Sequence, residues 1–325
     1  MPRRFRHVDA ERTVVFGEGA LEAAGDLLGG GYTLLTTARA QAQAPAVVER
    51  AGAVVDVPDG LVEVVAADLR PRVDGRRLVA LGGGRVIDVA KALAAADGPR
   101  QVIAIPTSLS AAEMTGTHRH AKGVPAGTPR VRPHVVVNDP ALSASQPPEQ
   151  LAASTANALG HATVGLLSER TTPPAQAVAR EAITYLRAGW ESAEPDRPTL
   201  ALGALLAGWA VDHSGLGPHH ALAQTAVRTA SIGHAEANAA LLPATIAALR
   251  RRRPAELARL DEALGTPIEA FAETLRERAR AAVPAEPATL DRLVETAAAR
   301  DELDRVPPAP DRDEIRAIYL AAAPR

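Results

Sequence analysis

The chain has 325 residues, enough for two domains that each bury a core of their own. Hydrophobic residues make up 46% of it but aromatic ones only 2%, so the interior must be built from small aliphatic side chains, as when Ala-rich helices pack on a Val/Leu-rich sheet. A net charge of −2 offers no basic field for nucleic acid or an anionic membrane, and the lack of cysteine excludes disulfides, thiolate metal sites and a cysteine nucleophile.

No apolar run approaches the roughly 20 residues of a membrane-spanning helix. The opening, Met1-Pro2-Arg3-Arg4-Phe5-Arg6, is basic but is followed by no hydrophobic signal core. These features predict a soluble, cytoplasmic protein. Lysine and arginine total 36, yet Lys91 and Lys122 are the only lysines. Each is therefore a candidate for a task that needs a compact ammonium.

In chain order, Arg12 to Phe16 reads as a strand and Ala20 to Leu28 as a helix. Tyr32 to Thr36 is a strand, Gln43 to Ala51 a helix, Ala53 to Val57 a strand and Leu61 to Leu69 a helix. Leu78 to Leu81 is a buried strand, Val86 to Ala95 a helix and Val102 to Ile105 another strand. This alternation predicts parallel βαβ units in an open α/β sheet, where ligands lie beyond the carboxyl ends of strands. From Pro106 to Pro148 the texture turns to proline, glycine and polar residues, with one strand at Val135 to Val137. Gln146-Pro147-Pro148 is the expected boundary, giving an α/β domain over 1–146 and an all-helical domain over 147–325. Nine helical stretches fill the second half, from about 151–168 to 312–322.

Gly82-Gly83-Gly84 falls between a strand and a helix, where backbone can approach a phosphate and the helix start supplies free N–H groups. A tight turn without a ligand would use the same glycines. Asp88 is read in the first helical turn, as a partner for the helix start or for a ribose hydroxyl. The segment Pro106-Thr107-Ser108-Leu109-Ser110-Ala111-Ala112-Glu113-Met114-Thr115 offers hydroxyls at the same sheet edge, or simply turn chemistry. In the helical half, Asn157 and His161 stand at i and i+4, on one helix face. His220 and His234 are too far apart on one helix to share a ligand, unless the chain breaks near Thr229 to Gly233. His118, Arg119, His120 and Lys122 form a local cationic patch.

Taken in this order, these motifs resemble the iron-type alcohol dehydrogenase superfamily, from about Arg12 onward. The family's cofactor-phosphate turn is similar to Gly82-Gly83-Gly84 with Asp88 and Lys91. Its Pro-Thr-Thr loop is similar to Pro106 to Thr115, and its Asp-Ala-x-x-His segment to Asn157-Ala158-Leu159-Gly160-His161. His220 and His234 fall at its two remaining metal-ligand positions. The resemblance implies a dehydroquinate synthase-like fold and a homodimer. Within the superfamily the maleylacetate reductase branch is the best likeness, through Asn157, His219-His220, His234-Ala235-Glu236, Pro129-Arg130-Val131 and Asn138-Asp139-Pro140.

That branch implies reduction of the conjugated C=C of maleylacetate to 3-oxoadipate, in aromatic-ring degradation, with NAD(P)H. The implied cofactor residues are Gly82, Gly83, Gly84, Asp88, Lys91, Thr107 and Ser108. Thr36 and Arg39 follow the second strand, where no acidic residue would repel a 2′-phosphate, so NADP is allowed. The implied catalytic residues are His219, His220, His234 and Lys122. Asn157, His161, Arg119 and Arg130 are expected around a small anionic substrate. The positions equivalent to a metal site are Asn157, His161, His220 and His234. A neutral amide is a poor partner for Zn or Fe, so no essential metal is expected.

Four departures from the family pattern lie around this site. Arg85 follows the glycines where serine is usual, and either adds a phosphate contact or blocks the pyrophosphate. Ser108 stands in place of Thr, Ala112 removes a hydroxyl, and Gln224 replaces a histidine one turn after His220.

Overall fold

The computed structural model describes residues 5–8 and 12–324. The first four residues of the basic opening lie outside the described residues. The chain divides into two units: residues 1–146 with 196–202, and residues 147–195 with 203–325. The segment 196–202 thus departs from the simple split expected at Gln146. Its Arg197 explains why, donating Nη1 to Ser143 O at 2.5 Å and Nη2 to Gln146 O at 2.9 Å.

In the first unit, strand β1 (Phe5–Val8) runs antiparallel to β2 (Thr13–Phe16), an edge strand the sequence reading did not include. Two short helices follow, α1 (Ala20–Ala23) and α2 (Gly25–Leu28). One helix was expected there. Gly25 interrupts it, and its carbonyl takes a hydrogen bond from Arg50 Nη1 at 3.2 Å. After β3 (Tyr32–Thr36) come α3 (Ala38–Gln43) and α4 (Pro45–Glu49), again two helices instead of one. Pro45 lacks the N–H that would continue α3, and serves as the first residue of α4. Then follow β4 (Ala51–Asp56), α5 (Val62–Leu69), β5 (Arg77–Gly82), α6 (Gly84–Ala96), β6 (Gln101–Pro106) and β7 (Val135–Asn138).

The seven strands lie in the order β1-β2-β7-β6-β5-β3-β4, all parallel except β1. Alternating side chains feed two cores, one on each face. Leu78, Ala80, Val102 and Ala104 pack under α5 and α6, while Val79, Leu81, Ile103 and Ile105 pack with the residues of α1 to α4. Strand β3 has β4 on one side and β5 on the other, so the winding reverses between β3 and β5. The carboxyl ends of these two strands are the expected ligand edge.

The second unit is helical. Its long central helix α7 (Pro148–Leu167) is buried at every residue from Leu151 to Leu167. Around it run α8 (Pro173–Ala188), α9 (Arg197–Ser214, with its first turns in the first unit), α10 (Pro218–Ala230) and α11 (His234–Arg252). The remainder comprises α12 (Pro254–Leu264), α13 (Ile268–Ala279), α14 (Pro287–Ala298) and α15 (Arg312–Ala321). Proline opens α7, α8, α10, α12 and α14, where its missing N–H costs nothing. No helix among the described residues is long and apolar enough to cross a membrane.

Candidate active site

Strand β5 ends at Gly82, and α6 begins only two residues later. Gly83 caps the helix in an extended conformation and carries no side chain to occupy the first N–H groups. Those groups remain available to an anion. A Cβ on Gly84 would lie 2.8 Å from Ser110 Cβ, and one on Gly83 3.1 Å from Ser108 Oγ. Glycine is therefore required because the segment after β6 packs directly on the turn. Thr107 fastens that segment, its N–H bonding Gly82 O at 3.0 Å. Ala111 in the same segment holds φ at +64°, a left-handed backbone that costs a non-glycine residue energy.

Several predicted cofactor residues do other work. Lys91 is fully buried and donates to Ala112 O at 2.9 Å, Thr115 O at 3.0 Å and Thr117 O at 2.8 Å, with Asp88 Oδ1 at 2.7 Å. An ammonium has three protons and they are committed here, so Lys91 anchors a loop and does not reach out to a phosphate. Asp88 is its counter-ion. Because α6 starts at Gly84, Asp88 lies beyond the first turn in which it was expected. Thr36 is fully buried, with Oγ1 turned to Thr37 O. Thr37 caps α3 instead, and Arg39 stands exposed two residues on, in the first turn of that helix. Arg85 directs Nη2 to Asp59 at 2.6 Å, in the loop after β4. Lys122 has an exposed side chain, while its backbone N–H bonds Glu63 O at the start of α5. Arg119 and Arg130 are exposed as well.

Sequence reasoning gave no role to the buried Glu113 and Arg12, and it placed His118, which is buried too, in a cationic patch. Burial pushes the Glu113 carboxyl up to about 7 despite the opposing pull of Lys91 and Arg12. Arg12 is buried nearby, with Nη1 on Met114 O at 2.9 Å. Burial likewise lowers His118 to about 4. That ring bonds Arg119 O through Nδ1 and accepts from Val131 N through Nε2, pinning its loop in the neutral form. The Pro-Thr-Ser segment carried the only hint of Glu113, and nothing local signals its burial.

In the second unit α7 and α10 bring four predicted residues together. Asn157 Oδ1 lies 3.2 Å from His220 Nε2. The His161 and His220 rings stack with centroids 4.2 Å apart and planes 4° from parallel, and His219 meets His220 edge-on at 5.0 Å. Gly160 makes this possible. A Cβ there would sit 2.9 Å from His219 Nε2 and 3.3 Å from His220 Cε1, with His219 Cδ2 closer still. All three rings are buried. Burial lowers His161 and His219 to about 3 and takes His220 well below its usual range, so they are neutral at pH 7.

His234 begins α11 after the break foreseen at Gly233, and it is exposed. Asn238, one turn on, donates Nδ2 to His234 O at 2.7 Å and faces His234 Nε2 at 3.2 Å. The carbonyl fixes which end of the amide is nitrogen, so Nε2 accepts and Nδ1 carries the proton. Asn238 was not anticipated, although its i+4 spacing from His234 was visible.

The donor set here is a neutral amide with histidines and contains no carboxylate. Among the described residues, no group of three or more His, Asp or Glu is arranged to hold a metal. Parallel rings aim their in-plane lone pairs side by side and not at one point. Asn157 adds no charge where a carboxylate would.

The first unit is thus an open, mostly parallel sheet with a glycine turn at its winding reversal, and the second a helical unit with buried histidines. Residues 151–322 match the model of the Fe-containing alcohol dehydrogenase family, C-terminal, and the chain belongs to that family. It is 35% identical over 225 residues to maleylacetate reductase 2 of Cupriavidus pinatubonensis, covering 66% of this chain and 62% of that protein. It is 31% identical over 274 residues to maleylacetate reductase of Sphingobium indicum, covering 78% and 77%. Among solved structures, maleylacetate reductase from Agrobacterium tumefaciens superposes with a TM-score of 0.81 at 25% identity, covering 99% of each chain.

Proposed function

We propose that this chain is an NAD(P)H-dependent reductase of the conjugated C=C bond of maleylacetate, giving 3-oxoadipate without an essential metal. The observation that carries the reading is the neutral cluster of Asn157, His161, His219 and His220. It pairs a histidine with a neutral amide at a position where a carboxylate would add charge to a divalent ion. The relatives named maleylacetate reductase support the choice of substrate.

NAD(P)H, when bound, would supply the hydride. Gly83, Gly84 and the open N-terminus of α6 would hold its phosphates, and exposed Arg39 suits a 2′-phosphate. Hydride addition to the carbon β to the ketone moves negative charge onto the ketone oxygen. Neutral imidazole N–H groups can stabilise that oxygen by hydrogen bonding. A proton on the α carbon completes the reduction, and exposed His234 is the ring assigned to deliver it. The exposed cations Arg119, Lys122 and Arg130 are the first unit's candidates for a substrate carboxylate.

Titration with NADH and NADPH, followed by an assay of their oxidation with maleylacetate, tests this reading. Binding of either cofactor with turnover supports it. Binding without turnover favours the second reading, another small carbonyl or enoyl acid, and binding of neither cofactor favours a chain that has lost hydride transfer, for which Arg85 and Gln224 are the signals.

A further inference from the structure

We propose that Arg300, acting through Gln224, sets the polar contact that recognises a carboxylate of the substrate. The proposal rests on the reading of the histidine cluster as the substrate site. Gln224 follows His220 by four residues on α10, and so shares its face of the helix. Arg300 Nη2 lies 2.9 Å from Gln224 Oε1. Arginine has only donors, so the oxygen of the amide must face it and the NH2 group must face away. Gln224 is half-buried, and its Nε2 has no partner among the described residues.

Arg300 is itself held rigidly. Glu302 takes it at two points, Nε to Oε2 at 3.0 Å and Nη2 to Oε1 at 2.8 Å. That pairing cancels its charge, so the guanidinium is not a free anion receptor. What it leaves is an oriented amide donor one helical turn from His220, which suits a carboxylate oxygen. Arg300 is thus a positioning residue, and Gln224 makes the contact.

The test measures binding of 3-oxoadipate by calorimetry and, separately, the kinetics of maleylacetate reduction. Gln224→Leu weakens 3-oxoadipate binding about tenfold, the loss expected for one hydrogen bond to a charged group. It raises KM by a similar factor with kcat little changed. Arg300→Met causes a smaller loss, and the double variant binds no more weakly than Gln224→Leu alone, because Arg300 acts only through that amide. Should Gln224→Leu fail to fold, Gln224→Glu keeps the contact with Arg300, removes the donors and shows the same direction of loss. Unchanged binding in the Gln224 variants, additive losses in the double variant, or no 3-oxoadipate binding by the unaltered protein would each overturn the proposal. Losses of the expected pattern in a protein that binds 3-oxoadipate but does not reduce maleylacetate would uphold it and overturn the substrate reading alone.

Discussion

Asn157 Oδ1 and His220 Nε2 lie 3.2 Å apart in the buried centre of the helical unit, and this is the one hydrogen bond that the His220 ring makes among the described residues. Asn157→Ala leaves that ring unpaired and costs about 1–3 kcal/mol of stability, read by urea denaturation. Asn157→Asp has a different effect. A carboxylate against His220 favours the imidazolium, so the ring titrates higher by NMR than in the unaltered protein.

Gly160 and His219 are in contact in a way that admits no methyl group, with His219 Nε2 2.9 Å from where a Cβ would stand. Gly160→Ala costs about 1–3 kcal/mol by overpacking. It also displaces the ring pair, so activity falls at temperatures where the variant is still folded. An alanine variant with full activity would show that the position of His219 is immaterial.

Lys91 is predicted to be indispensable as an anchor. Lys91→Met leaves three loop carbonyls without their donor and the half-buried Asp88 carboxylate without its cation, at a cost of about 3 kcal/mol in urea denaturation. A loss of cofactor affinity with stability unchanged would restore the phosphate role that the sequence suggested.

Glu113 makes stability depend on pH in a definite direction. Its carboxyl titrates at about 7 in the folded chain against 4.5 ordinarily, so the folded state binds an extra proton between these values. This contribution is complete below pH 4.5 and is lost as pH rises through 7. His118, lowered from 6.5 to about 4, works the other way: its contribution is complete above 6.5 and is lost as pH falls through 4. Comparison with Glu113→Gln isolates the first. The variant gains on the unaltered protein as pH rises, levelling at about 3 kcal/mol above pH 7.

Local pattern made much of the molecule legible. The runs Leu78 to Leu81 and Val102 to Ile105 are apolar on both faces because helices cover both sides of the sheet. The helices of the second unit were readable from their periodicity and from the prolines that open five of them. Asn157, His161 and His220 could be grouped because a fixed helical spacing and a family motif place them. Lys91 could not be read correctly, since its partners depend on the path of residues 112–117, more than twenty positions away. Asp88 was misplaced by a helix start two residues earlier than its apolar pattern shows, and Thr36 by burial between neighbouring strands. Glu113 and Arg300 draw their character from tertiary neighbours that no local motif encodes.

The central claim is a reductase that works through neutral histidines and an amide. It is tested most directly by following NAD(P)H oxidation with maleylacetate after exhaustive treatment of the protein with a chelator. The account predicts turnover that is unchanged by the chelator and not raised by added Zn or Fe. Turnover that vanishes on chelation and returns with either ion would contradict it.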